Sequence, residues 1–170
     1  TTVEAKSGYG LNLEDELKQL EAVREARRLH PVDIIPTYMG AHEVPPEYRE
    51  DREGYLKLVT EKVMPEVRRR NLAEFFDVFC EAGVFSAEET RRLLQAAKKA
   101  GFGLKIHADE FAGLGGALLA AEVGAVSAEH LIISSEEGVA RLAASDTAAL
   151  LLPGVSFSLR LGRYAQARRL

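Results

Sequence analysis

Cysteine occurs once in these 170 residues, at Cys80. A lone thiol excludes an internal disulfide framework and fits a reducing, cytoplasmic setting. Because Cys80 sits in an apolar run, it is expected to be buried and inert rather than a nucleophile. Long hydrophobic stretches are also missing. None approaches the roughly 20 residues needed to span a bilayer, so no membrane partner is expected. Residues 1–10 carry no signal-peptide pattern. Nor is there an excess of positive charge: 22 Lys and Arg stand against 26 Asp and Glu, a net charge of −4. The basic residues are mixed with acids on expected helices, which argues against a nucleic-acid partner. Several cofactor signatures are absent. The chain has no His-x-His pair and no HExxH helix. Gly113-Leu114-Gly115-Gly116 misses the G-x-G-x-x-G spacing, because Leu118 fills the sixth position. Those glycines suit a tight turn and a helix start, whose amides can face an anionic substrate.

What remains is an ordinary globular composition, 46% hydrophobic and 28% charged, long enough for one sizeable core across residues 1–170. Residues 1–6 are β-prone and end in the turn Ser7-Gly8-Tyr9-Gly10. Asn12 can cap a helix in which Leu13, Leu17, Leu20 and Val23 recur at helical spacing, up to His30-Pro31. A strand is expected over 32–39, followed by Gly40-Ala41-His42. A long helix is expected over about 47–70, bent near Pro65. The run 75–79 is a third strand, leading to Cys80-Glu81. Ser86-Ala87-Glu88-Glu89 has the capping-box pattern, and that helix runs to Gly101. A fourth strand follows at 103–106, then a helix over 115–123, a brief strand over 125–127, a helix from Ser134 through Leu142, and an apolar strand over 147–152.

Six strands alternating with helices point to a parallel sheet, either doubly wound or closed as a barrel. The placement of rare residues discriminates. Tyr9, His42, Glu81, His107, Glu110 and His130 fall just past successive strands. In a barrel those ends converge on one mouth, whereas in an open sheet they spread along an edge. The barrel is therefore expected, with these strands forming three-quarters of it. The chain opens on Thr1-Thr2-Val3 without a methionine and stops at Arg168-Arg169-Leu170, which reads as the middle of a helix. A fragment of a longer protein is expected.

The stretch Gly103-Leu104-Lys105-Ile106-His107-Ala108-Asp109-Glu110 carries the chemistry. Leu104 and Ile106 can fill a buried face, after which a histidine and two carboxylates replace the apolar run. His107 has a suitable metal donor, and Glu110 suits proton transfer or substrate hydrogen bonding. The same residues also fit a strand-end histidine beside solvated acids. His42 follows a Gly-Ala pair that permits close approach, and His130 follows the Ser127-Ala128-Glu129 strand end. His30, ahead of Pro31, reads as a surface helix end.

The order of motifs resembles the imidazolonepropionases. The matching runs are Thr2-Val3-Glu4 with Lys6 to Leu11, and Gly40-Ala41-His42 with Val44-Pro45-Pro46-Glu47-Tyr48. Phe79-Cys80-Glu81 with Gly83-Val84-Phe85-Ser86 comes next, then Leu104 to Glu110, Ser127 to Leu131, and Leu151-Leu152-Pro153-Gly154. The resemblance covers essentially the whole chain. It implies a (β/α)8 TIM-type barrel of the amidohydrolase superfamily holding one Zn²⁺ or Fe ion. The strands here would be the second to the seventh.

By that resemblance His107 would be the fifth-strand metal ligand, and Glu110 and His130 would act beside the activated water and the ring. Tyr9 and His42 would bind the substrate. The implied reaction is hydrolysis of 4-imidazolone-5-propanoate to N-formimidoyl-L-glutamate in histidine degradation. A metal lowers the pKa of bound water toward about 7, supplying hydroxide at neutral pH. The family's first-strand His-x-His pair and substrate arginine, and its eighth-strand aspartate with Asn-Pro-Gly, have no counterpart in this chain. The implied partners are a small-molecule substrate and a possible homodimer, with no nucleic acid and no membrane. Another cyclic-amide hydrolase or deaminase of the superfamily, or a non-catalytic barrel fragment, is the alternative.

Overall fold

In a computed structural model that describes all of residues 1–170, six strands alternate with helices. The first strand, β1, is Thr2–Lys6, and α1 is Leu13–Leu29. Asn12 caps α1 as its sequence requires, its side chain accepting from the Asp15 N–H at 2.9 Å. His30 ends the helix as an exposed cap residue. After β2, Asp33–Ala41, the expected single helix is instead composite. A 3₁₀ turn at Pro46–Tyr48 precedes α2, Arg52–Lys57; a π-helical stretch, Leu58–Val63, leads into α3, Met64–Arg69. The irregularity lies before Pro65 rather than at it. A proline has no N–H for the preceding turn and its ring crowds the carbonyl four residues back, and a wider turn there relieves both.

The chain continues through β3 at Phe75–Cys80, α4 at Ala87–Lys99 and β4 at Gly103–Ala108. The capping box that opens α4 is reciprocal: Glu89 N–H donates to Ser86 Oγ at 3.2 Å, and Ser86 N–H to Glu89 Oε2 at 2.9 Å. Then come α5 (Gly116–Val123), β5 (Ser127–His130), α6 (Glu136–Ala143), β6 (Ala148–Leu150) and α7 (Pro153–Ser158). Several boundaries differ from the sequence reading. Strand β5 includes Glu129 and His130 instead of stopping before them, because its polar residues pair along β4. Residues 159–170 form turns without a further helix, and Arg160 and Gly162 adopt positive φ.

Two compact units divide the chain: Thr1–Val78 with Arg92–Gly103, and Phe79–Arg91 with Leu104–Leu170. In the first unit β1 pairs parallel with β2, and β2 with β3. Between Tyr38 and Ala41 the β2 register slips by one residue against β3, a bulge just ahead of His42. The unit's core includes Leu20, Tyr38, Tyr55, Val59, Val67 and Phe76. Asp77 is also fully buried there, and Lys6 donates to it at 2.6 Å. In the second unit β4 pairs parallel with β5, and β5 with β6. Leu104, Ile106, Leu119, Ala128 and Leu131 form its core.

Within each unit strand order follows chain order, the result of repeated strand–helix–strand crossovers. The first and last strands are the exposed ones, so the expected burial of the apolar 147–152 run holds only in part. No helix is long and apolar enough to cross a membrane.

Candidate functional site

Each unit gathers its own polar residues past the strand ends. In the first, the Gly8-Tyr9-Gly10 loop is shaped by Glu16, an α1 residue only 1% exposed. Its carboxylate accepts from the N–H groups of Gly8 at 3.1 Å, Gly10 at 2.8 Å and Leu11 at 3.0 Å. Gly8 has φ +115°, and a Cβ there would meet the Met39 carbonyl at 2.7 Å, so only glycine fits. That geometry delivers Tyr9 to the surface, 80% exposed, with its ring 5.0 Å from the His42 ring in an edge contact. His42 Nδ1 lies 3.1 Å from the Gly8 carbonyl, which fixes the proton on Nδ1 and makes Nε2 the basic nitrogen. Tyr9 and His42, separate in sequence, thus stand together.

In the second unit the parallel register does the assembling. His107 lies opposite Glu129, and Ala108 opposite His130. His107 Nε2 is 3.3 Å from Glu129 Oε2, and the His107 and His130 rings are 5.3 Å apart. Phe79 closes on the edge of His107, with ring centroids 6.0 Å apart. Past the strand, Asp109 turns left-handed, with φ 52°, and is fully buried. Its carboxylate accepts from the N–H groups of Gly116 and Ala117 at the start of α5, and from Ser134 Oγ. The turn swings Glu110 inward to within 3.4 Å of His130 Nδ1. His130 and Leu131 also have positive φ, 71° and 55°. Two consecutive non-glycine residues in that region are strained, and such strain concentrates at functional sites.

Burial pushes the Glu110 carboxyl above its ordinary range; His107 opposes the shift and the Glu81 carboxylate adds to it. Glu81 is itself buried and accepts from the N–H groups of Phe111 at 2.9 Å and of Ala82 and Ala112 at 2.9 and 2.8 Å. Cys80 is fully buried, and burial lifts its thiol to about 11, which makes it inert at neutral pH as expected.

The donor chemistry suits a divalent ion. Two ligands about 2.0–2.1 Å from a tetrahedral ion are roughly 3.3–3.4 Å apart. The imidazole nitrogen of His107 and the carboxylate oxygen of Glu129 have that spacing. Glu129 can serve as a second donor, or it can orient the His107 ring as a hydrogen-bond acceptor.

No protein-family model matches the chain. Curated relatives do, along all of it. It is 59% identical over 171 residues to the imidazolonepropionase of Symbiobacterium thermophilum. It is 55% identical to that of Alkaliphilus metalliredigens and 56% to that of Geobacillus thermodenitrificans. Over its whole length this chain is related to the imidazolonepropionases. The matches take in 100% of the chain and 40% of each of these relatives, so it spans about two-fifths of their length. A solved Xaa-Pro dipeptidase with methionine bound in its active site superposes with a TM-score of 0.60 at 17% identity, covering 98% of this chain and 47% of that one. The Aspergillus niger ochratoxinase does so with a TM-score of 0.55 at 17% identity, covering 88% and 40%. These likenesses show the fold: parallel strands alternating with helices, as in those two enzymes.

Within this imidazolonepropionase-related chain, the structure adds roles that sequence reasoning passed over. Glu129 was legible only through its register opposite His107. Asp109, weighed as a solvated acid, is a buried cap. Glu16 and Glu81 bind backbone amides, a role that leaves no residue pattern.

Proposed function

We propose that this chain belongs to an enzyme that hydrolyses 4-imidazolone-5-propanoate to N-formimidoyl-L-glutamate, and that it carries part of the catalytic machinery. The observation that supports this most is the cluster of His107, Glu110 and His130 past β4 and β5, in a chain related throughout to imidazolonepropionases. In this reading His107, aided by Glu129, holds one Zn²⁺ or Fe ion. Such an ion, when bound, activates water as a nucleophile near neutral pH. His130 donates to the oxygen that gains charge as water adds to the ring. Glu110 accepts a ring N–H and so orients the ring for attack. Tyr9 and His42 bind the imidazolone-propanoate. The lone buried thiol supports a cytoplasmic enzyme.

The test uses the full-length protein, assayed for consumption of 4-imidazolone-5-propanoate and for bound metal. His107→Ala is expected to lose metal and activity together. His130→Ala is expected to keep its metal and lose about 10²–10³-fold in turnover, as loss of an oxyanion donor does. Retained metal in His107→Ala would overturn the ligand assignment. Failure of the unmodified protein to consume the substrate would overturn the reaction.

A further inference from the structure

We propose that Glu81 is a positioning residue for Glu110. Its buried carboxylate grips the backbone directly after Glu110 and so sets where the Glu110 carboxylate stands. The inference rests on the reading above, in which Glu110 contacts substrate.

Glu81 follows β3 and is 2% exposed. Its own turn is closed: Glu81 N–H donates to the Phe85 carbonyl at 3.1 Å, and Val84 N–H to the Glu81 carbonyl at 3.0 Å. The side chain reaches across 30 residues of sequence to the loop after β4. There Oε2 takes the Phe111 N–H and Oε1 takes the Ala112 N–H, while Oε1 also takes the Ala82 N–H of its own turn. Both oxygens are engaged, and every donor is a backbone amide. Such bonds to a charged acceptor are short and directional.

The other side of Glu110 is held independently. Asp109 is locked by Gly116, Ala117 and Ser134, and the Asp109 carbonyl accepts from Ile133 N–H at 3.0 Å. Glu110 therefore sits between two clamps, on residues 109 and 111–112, with no freedom to drift along the loop. A carboxylate that must meet a substrate hydrogen needs that precision, since misplacement by about 1 Å can cost about 10²-fold in rate. Asp109 also caps α5, so its loss would unsettle a helix. Glu81 holds only the turn and the loop, which makes it the cleaner probe.

Glutamine at this position keeps the shape but has one accepting oxygen where two are required. Its NH₂ group would face either the Phe111 N–H or the Ala82 and Ala112 N–H groups. The loop would move away from the unmatched donor and take Glu110 with it.

The test is a double-mutant cycle in the full-length protein, loaded with zinc: Glu81→Gln, Glu110→Ala and both together. Glu81→Gln is expected to lower kcat about 10–100-fold while KM changes less than about 3-fold and metal content holds. In the Glu110→Ala background the same change is expected to cost less than about 2-fold, because the group it positions is gone. Equal losses in both backgrounds, or wild-type kcat in Glu81→Gln, would overturn the proposal. If Glu81→Gln does not fold, Glu81→Asp enters the same cycle, since it keeps the charge but withdraws the oxygens from the amides.

If the unmodified protein leaves imidazolonepropanoate untouched, the functional reading fails, and hydrogen exchange then decides the clamp. The amides of Phe111 and Ala112 are expected to exchange faster in Glu81→Gln than in the unmodified protein. Unchanged exchange would overturn the clamp.

Discussion

Glu110 can act in two ways, and the distinction is chemical. A general base must titrate and typically contributes about 10²–10⁴-fold in rate. A hydrogen-bond acceptor needs only an oxygen, which glutamine supplies in nearly the same shape. The buried side chain lies 3.4 Å from His130 and three residues beyond His107, beside the expected ligand rather than at its position, and that favours the acceptor. Glu110→Gln should therefore keep much of the turnover and Glu110→Ala should lose most of it, with metal content unchanged in both. Equal severe losses would show that the charge itself matters.

The raised carboxyl adds a pH signature to the same residue. As pH falls, Glu110 takes its proton earlier than an ordinary carboxylate and ceases to accept from the ring through both oxygens. The protonated acid still keeps one accepting oxygen, as glutamine does, so turnover should fall only slightly through this range; a full acid limb above the usual carboxylate range that vanishes in Glu110→Gln would point to the base instead. His107, Glu110 and His130 were all legible in sequence, because unlike polar residues interrupt apolar runs there. Glu81 stood out by the same rule, but its role did not, and Glu16 and Asp109 did not stand out as more than ordinary acids. A carboxylate that satisfies backbone amides looks, in sequence, like any surface acid.

At the scale of elements, α5 is the least expected piece of engineering. It is eight residues of Gly, Ala, Leu, Glu and Val, with no acidic residue in its first turn and no cap from its own Gly115. Asp109 from the preceding loop supplies both, placing a negative charge and two acceptor oxygens at the positive helix end. The helix comes so near β4 that a Cβ on Gly116 would meet Ala108 Cβ at 2.7 Å. Asp109→Ala strands two amides and the Ser134 hydroxyl and should cost about 2–3 kcal/mol. Urea unfolding at constant slope would measure it, with Asp109→Asn intermediate because it keeps one acceptor. A loss under about 0.5 kcal/mol, the size of an ordinary surface change, would contradict the capping role.

Caps that lie next to their helices, at Asn12 and Ser86, were legible because capping is a local code. The Asp109 cap was not, since it comes from seven residues away through a left-handed turn. The π-helical stretch before Pro65 was equally hidden: proline announces a disturbance without saying on which side the ladder yields.

At the scale of the whole molecule, alternation of apolar strands with amphipathic helices made the parallel barrel class legible, since that pattern repeats at every crossover. Metal loading is a different matter, because it depends on counting donors. The second unit offers His107 and Glu129 at ligand spacing, and the chain has no His-x-His pair. Catalytic zinc normally takes three protein ligands, and each missing one leaves a position for water and weakens the hold on the ion. The ligand histidine must also shed its proton to bind, so a site short of donors loses metal first as pH falls. The chain spans 40% of the length of the relatives it matches. The 170-residue chain expressed by itself is therefore expected to retain well under one zinc per chain after dialysis. It should not turn over 4-imidazolone-5-propanoate, whereas a protein of the relatives' full length should do both. Elemental analysis of the two proteins, dialysed side by side at pH 7.5 and pH 5.5 (about one unit either side of an unperturbed histidine), is the measurement. Near-stoichiometric zinc in the short chain at both pH values would show that His107, Glu129 and their neighbours suffice, and that the donor count misjudged the site.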